Sequence, residues 1–229
     1  MVCHDFKTIF IHIPKTAGQS IETVFLEKLG LSWNNRMPLL LLPNTNLELG
    51  PPRLAHLTAH EYVFNHYVST DLFTSYFKFS FVRNPWGRSV SLYRYMGYSS
   101  IMKFQTFVER YLSKMVENKY YFCKPQINFL TDNEGNLCVD FVGRFENLQQ
   151  DFNAICSKIN FPSTKLPHLN KSIDLSNFEN KFSAFKKGWI DFSFYRPEYT
   201  NYKDYYNSNT ESLIADLYQS DIKAFGYRF

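Results

Sequence analysis

Apolar positions along the chain fall into two spacings, and their alternation predicts the elements. Lys7 to Ile13 (KTIFIHI) is β-branched and apolar with no helical period, and predicts a buried strand. A polar turn, Pro14 to Ser20, follows it. Ile21, Val24, Phe25 and Leu29 then recur at helical spacing, with Gly30 placed to end that helix. Phe77 to Val82 (FKFSFV) predicts a second strand, closed by Arg83. Asn84 and Pro85 supply an N-cap and a first-turn residue for a helix running to about Tyr98. Phe104, Phe107, Val108, Tyr111, Leu112 and Met115 make another helical stripe. Val139 to Val142 predicts a third strand, and Glu146 to Ile159 a helix with Leu148, Phe152, Ile155, Cys156 and Ile159 inward. Leu213, Ile214, Leu217 and Tyr218 mark a last helix before Gly226. Residues 31–55 show no clear period and read as a loop; Leu57 to Tyr67 is ambiguous between helix and loop. Strands alternating with helices predict an α/β fold with parallel pairing. No internal repeat is present.

Composition narrows the picture. The 229 residues suit one domain, 1–229, with an insertion at 173–200 where the chain is polar and aromatic without a period. With 45% hydrophobic and 20% charged residues, disorder of the whole chain is excluded. Aromatics reach 18%, more than a minimal core needs, so some rings are expected to line a pocket or groove. A net charge of +4 fits an anionic ligand but is too small and dispersed for a dedicated nucleic-acid binder. The most apolar run, Leu39 to Leu42, is far too short to cross a bilayer. Cys3, Cys123, Cys138 and Cys156 form no C-x-x-C pair, and read as scattered, mostly buried thiols in a reducing compartment. A cytoplasmic location is therefore expected.

Two segments carry candidate chemistry. In the turn after the first strand, Lys15 offers a cation, Thr16 and Ser20 offer hydroxyls, and Gly18 permits close backbone approach at a helix start. The complete G-x-x-x-x-G-K-[ST] loop of nucleotide triphosphatases is absent, as is G-x-G-x-x-G. In the second segment (FVRNPWGRSVSLY, 81 to 93) Arg83 stands where a strand ends, a suitable place for gripping an anion, and Ser91 lies about two turns into the next helix. Taken singly, each segment has an ordinary explanation, as a capped helix start or a surface ion pair.

Together they closely resemble the two nucleotide-binding signatures of sulfotransferases that use 3′-phosphoadenosine 5′-phosphosulfate (PAPS), in particular carbohydrate sulfotransferases related to heparan sulfate 2-O-sulfotransferase and their bacterial homologues. The resemblance runs through IFIHIPKTAGQSIE (9 to 22), FKFSFVRNPWGRSVSLY (77 to 93), DFVGRFENLQQDF (140 to 152), LPHLNKS (166 to 172) and YQSDIKAFGY (218 to 227). It implies a three-layer α/β sandwich with a central, mostly parallel sheet and a P-loop-like strand–loop–helix. It also implies that Lys15, Thr16, Ala17, Gly18, Gln19 and Ser20 wrap the 5′-phosphosulfate. Arg83 and Ser91 would hold the 3′-phosphate, and Asn170, Lys171 and Ser172 would close on the nucleotide. The product would be adenosine 3′,5′-bisphosphate, and the acceptor a hydroxyl of a sugar or polysaccharide. The stretch after Ser172 departs from the compact bacterial pattern and fits an acceptor-binding elaboration. Because relatives in this family are anchored in the Golgi, the resemblance makes the Golgi lumen the alternative location for a trimmed chain.

A hydroxyl acceptor needs a base, and imidazole suits that task near neutral pH. His60, in Thr58-Ala59-His60, is the expected base, where the resemblance also places one; His56 and His66 are competitors and Glu61 is the fallback. Lys15 is expected to join it in catalysis by assisting the departing phosphate. His12, inside the first strand, is expected to be structural, and His168 to shape the loop near the nucleotide. No ligand set of usable spacing calls for a metal. Two other classes stay open: a nucleotide-dependent phosphoryl transferase, which should show a complete phosphate loop and a magnesium ligand, and a non-catalytic binder of nucleotide or anionic glycan on the same fold.

Overall fold

The computed structural model describes residues 1–167 and 199–229. The chain folds as two compact units, one of Met1–Arg83 with Gln126–Leu169 and one of Asn84–Pro125 with Asn170–Phe229.

The first unit is built on a four-stranded sheet in the order β1 (Val2–Cys3), β2 (Thr8–Ile11), β3 (Phe77–Val82), β4 (Phe141–Arg144). The short β1 runs antiparallel to β2; β2, β3 and β4 are parallel. The three parallel strands are joined by long connections, as parallel pairing requires. Phe10 lies opposite Phe79, and the two rings stack with centroids 4.9 Å apart. Every residue of β2 is buried, which explains its continuous apolar pattern in place of an alternating one. Helix α1 (Gly18–Lys28) lays Ile21, Val24 and Phe25 on this core, and α7 (Leu148–Lys158) adds Phe152, Ile155 and Cys156. Gly30 takes φ +67 just past the end of α1, in the left-handed region expected of a helix stop.

Between α1 and β3 the chain makes three short 3-10 turns, then α2 (Ala59–Phe64) and α3 (Thr70–Ser75). Helix α2 begins with a capping box: Glu61 N donates to Thr58 Oγ1 and Thr58 N donates to Glu61 Oε2.

In the second unit, α4 (Pro85–Tyr95) starts as the sequence predicts, with Asn84 Oδ1 accepting from the backbone of Trp86 and Gly87. It stops three residues before Tyr98. The stripe from Phe104 to Met115 is helical but not uniformly so: α5 (Phe104–Phe107) and α6 (Ser113–Glu117) are joined by a π-helical turn, Val108–Leu112. The C-terminal segment forms two helices rather than one, α8 (Ser208–Leu217) and α9 (Gln219–Phe225). Arg88 is 1% exposed and donates to the carbonyls of Phe122 and Lys124, so it is an internal brace of this unit rather than a surface ion-pair partner.

The four cysteines are free thiols, three of them buried. Among the described residues no helix is long and apolar enough to cross a membrane, and no cluster of His, Cys, Asp or Glu could hold a metal ion.

Candidate functional site

The parallel pairing of β2 and β3 brings the ends of two separate motifs to one sheet edge. Residues that follow adjacent parallel strands emerge side by side, because neighbouring strands lie only about 5 Å apart. The turn carrying Lys15 follows β2, and Arg83 follows β3. The Arg83 guanidinium reaches across, and its Nη1 donates to the Lys15 carbonyl oxygen at 3.4 Å.

The turn itself is conformationally unusual. Lys15 and Ala17 have φ of +72 and +69, both in the left-handed region that non-glycine residues seldom occupy. Thr16, between them, is fully buried, and its hydroxyl donates to the Ile13 carbonyl, bracing the turn from inside. Ala17 is the N-cap of α1 and offers no side-chain oxygen to the first amides of that helix, whose first turn also lacks an acidic residue. Ser20 N bonds back to the Ala17 carbonyl. The helix start therefore presents backbone N–H groups and the positive end of the helix dipole toward whatever lies beyond the turn.

Gly18 is also constrained from inside the fold. A Cβ on it would lie 2.0 Å from Cδ2 of His12, so the close approach it permits is to an imidazole ring. His12 is buried, and its Nδ1 pairs with Oε1 of the equally buried Glu22 at 2.6 Å. This pair ties the end of β2 to the second turn of α1 and fixes how the turn between them is bent.

Electrostatically the edge is cationic. Burial, reinforced by the neighbouring Arg83 charge, pushes the Lys15 ammonium down to about 8 from its ordinary 10.5. The Arg83 side chain is itself fixed, with its guanidinium carbon 4.0 Å from the centroid of the Phe145 ring. Two cations, a helix N-terminus and a strained turn together form an arrangement that an anion of phosphate type would neutralise.

The histidines divide. His60 is half-buried in α2, stacks on Phe64 four residues on, and has its Nε2 3.4 Å from Asn133 Nδ2. An amide nitrogen only donates, so this contact makes Nε2 of His60 the acceptor. His56 is 6% exposed and its Nδ1 donates to the His12 carbonyl at 2.9 Å, with its ring edge-on to that of His12 at 4.5 Å. Burial first, and the nearby His12 next, hold His56 well below the ordinary imidazole range, so it is neutral with its lone pair on Nε2. His66 is exposed. The Glu61 carboxylate is engaged in the capping box of α2.

Lys15, Thr16, Ala17, Gly18, Gln19 and Ser20 thus form one continuous turn with Arg83 beside it, all within the first unit. Ser91 belongs to the second unit, half-buried in the second turn of α4. His168, Asn170, Lys171 and Ser172, with nearly all of the 173–200 insertion, lie outside the described residues.

The whole of this arrangement falls within a match to the model of the Sulfotransferase family, which covers residues 1–228. The chain belongs to the sulfotransferase family. It is also 31% identical over 112 residues to an uncharacterized protein of Archaeoglobus fulgidus, an alignment covering 47% of this chain and 87% of that one. As a sulfotransferase it is a transferase of sulfuryl groups to an acceptor. The sheet edge also includes groups to which motif reading assigned no individual role: Glu22, Phe145 and Gln126. Glu22 was readable only as a helix residue, because its partner His12 lies ten positions away across a turn. Gln126, in Lys124-Pro125-Gln126, carries no local signal at all. A fully buried amide becomes visible only when its partners are known.

Proposed function

We propose that the protein transfers the sulfuryl group of PAPS to a hydroxyl of an acceptor, a sugar or polysaccharide, on a three-layer, P-loop-like sulfotransferase scaffold. The observation that carries the reading is the pairing of Lys15 and Arg83 on one sheet edge, with Lys15 depressed to about 8 beside the uncapped start of α1. The donor has two anionic ends, and the edge has two separate cations. The chemistry that donor supplies is a sulfuryl group on a good phosphate leaving group.

The turn from Lys15 to Ser20 would hold the phosphosulfate end through backbone N–H groups and the Lys15 ammonium. Arg83 would hold the ribose 3′-phosphate together with Ser91, and Asn170, Lys171 and Ser172 would close over the nucleotide. The Lys15 charge stabilises the negative charge that grows on the departing phosphate, a role best performed by a preorganised cation in a partly dehydrated setting. His60 Nε2 takes the proton of the acceptor hydroxyl, the hydroxyl replacing Asn133 Nδ2 on that lone pair. A specific observation favours a second reading of that role: His56 is neutral, and its contact with His12 connects it to the turn at Gly18. Nothing in this scheme calls on a metal. The acceptor class rests on the family resemblance and on the wealth of aromatic side chains.

The test is binding followed by transfer. Adenosine 3′,5′-bisphosphate should raise the melting temperature, and ³⁵S from labelled PAPS should appear on a member of a panel of sugars, polysaccharides and phenols. Arg83→Ala should weaken binding of the bisphosphate. A phosphoryl transferase would instead respond to ATP with magnesium, and a plain binder would show the thermal shift with no transfer.

A further inference from the structure

The strand β3 ends in a way that makes one distant side chain part of the site. Its last paired residue is Val82, opposite Arg144 on β4. Arg83 lies one step past the ladder. Gln126 meets the Arg83 backbone N–H and C=O: Arg83 N donates to Gln126 Oε1 at 2.8 Å, and Gln126 Nε2 donates to the Arg83 carbonyl at 2.8 Å. A carboxamide carries a donor and an acceptor in the same arrangement as a peptide group, so this side chain replaces the missing strand neighbour. Gln126 is 0% exposed. It is also the residue at which the chain rejoins the first unit, and Arg83 is the residue at which it leaves. Phe145, opening the 3-10 turn directly after β4, supplies the second support as the ring under the guanidinium.

We propose that Gln126 and Phe145 are positioning residues of the anion site, holding Arg83 in its binding geometry before any nucleotide arrives. This rests on the reading of Arg83 as a nucleotide ligand. Gln126 fixes the Arg83 backbone and Phe145 fixes the plane of its guanidinium. A long, flexible arginine normally gives up rotamer freedom when it grips an anion, and here that freedom is already lost in the free protein. The plane matters because a guanidinium recognises a phosphate through a planar fork of donors, which a rotated side chain does not present.

The full-length chain tests this with Gln126→Met, which keeps the volume and removes both hydrogen bonds, and with Phe145→Leu, a milder change at a half-buried position. Two readouts are taken. The first is ¹⁵N relaxation of the Arg83 side-chain Nε–H without nucleotide, which reports order directly. The second is the affinity for adenosine 3′,5′-bisphosphate and for adenosine 5′-monophosphate, with the melting temperature alongside. Gln126→Met should loosen Arg83 and weaken the bisphosphate about ten- to hundredfold. Phe145→Leu should weaken it about three- to tenfold. Both should leave the monophosphate within about twofold of wild type, and both effects should vanish in an Arg83→Ala background. Unchanged Arg83 order in both variants overturns the proposal. So does an equal loss of both nucleotides, or a lowered melting temperature with bisphosphate affinity intact, since Gln126 would then be a staple of the fold only. Wild-type protein that binds the two nucleotides equally would overturn the reading of Arg83 as a 3′-phosphate ligand; the relaxation measurement would still decide whether Gln126 and Phe145 hold it in place.

Discussion

On the proposed function, the anion held by Lys15 gives donor binding a pH dependence set by the burial of that lysine. In the free protein its ammonium is pushed down to about 8, first by burial and then by the Arg83 charge. The displacement from 10.5 corresponds to about 3 kcal/mol of disfavour for the charged form, at about 1.4 kcal/mol per pH unit. The folded value lies below the unfolded one, so the unfolded chain binds more protons between pH 8 and 10.5. The penalty on the empty fold is therefore full at neutral pH and is lifted as the pH climbs through that window. An anion bound against Lys15 offsets both causes by supplying an opposite charge, and returns the ammonium toward its ordinary value.

Binding must then take up a proton wherever the free site has lost one. At pH 9 only about one free protein in ten carries a protonated Lys15, whereas the complex is almost fully protonated, so uptake approaches one proton. At pH 7 it is close to zero. The affinity for adenosine 3′,5′-bisphosphate should consequently be flat up to about pH 7.5 and fall by nearly tenfold per pH unit above about 8. The ligand's phosphates are fully ionised above neutrality, and burial holds the Cys123 and Cys156 thiols up at about 11. Calorimetry at pH 7 and pH 9, in buffers of different ionisation enthalpy, measures the uptake directly. Lys15→Met should abolish both the uptake and the slope. Affinity that stays level from pH 8 to 9.5 in the wild type, or a slope that survives in Lys15→Met, refutes the placement of the anion on this lysine.

Other substitutions separate the roles of the remaining residues. Lys15→Ala should abolish sulfate transfer, while the bisphosphate still binds weakly through Arg83; measurable ³⁵S turnover would count against its catalytic part. His60→Ala should keep nucleotide affinity and lose about 10²–10⁴-fold in kcat. If His56→Ala produces that loss in its place, with affinity again intact, the base is the buried histidine. Gly18→Ala should cost about 1–3 kcal/mol of stability by driving a methyl into the His12 ring. Combining it with His12→Ala should leave the second methyl nearly neutral in denaturant titrations, and an undiminished cost would mean that the backbone, not the ring, is what resists.

How legible these features were in the sequence follows from where the constraints lie. The strand β3 reads correctly from Phe77 to Val82 because its apolar run is cut off sharply by Arg83-Asn84-Pro85. The strand β4 sits two residues later than its apolar residues suggest, Phe141–Arg144 instead of Val139 to Val142. Gly143 does not look like a strand residue, yet it is the one that fits. A Cβ there would come within 2.5 Å of the Phe81 ring on the neighbouring strand. The two-residue β1 and the short polar α3 are too small to leave a periodic signal. The helical stripe at 104 to 115 was readable, but its π-helical turn was not, since an extra residue in one turn barely disturbs a stripe of six apolar positions.

The site shows the same division between local and distant constraints. Lys15 and Arg83 stand out because each ends a strand and opens a helix, so the signal is contained in a dozen residues. That they form one site depends on β2 and β3 being parallel and adjacent, with Ile11 opposite Ser80. Were the two strands antiparallel, the motifs would emerge at opposite ends of the sheet. Register then sets the separation: the residues after Ile11 and those after Val82 project from the same edge, and the Arg83 side chain is long enough to reach the Lys15 carbonyl. Holding two cations this close costs stability in the empty protein. The fold tolerates it because Gln126 and the His12–Glu22 pair fix the surrounding backbone by contacts that involve neither cation's charge, while the Phe145 ring face lies against the Arg83 guanidinium itself. An anion bound at this edge, as proposed, offsets the burial and the repulsion together, so on that reading affinity for the donor and the ionisation of Lys15 rise and fall together.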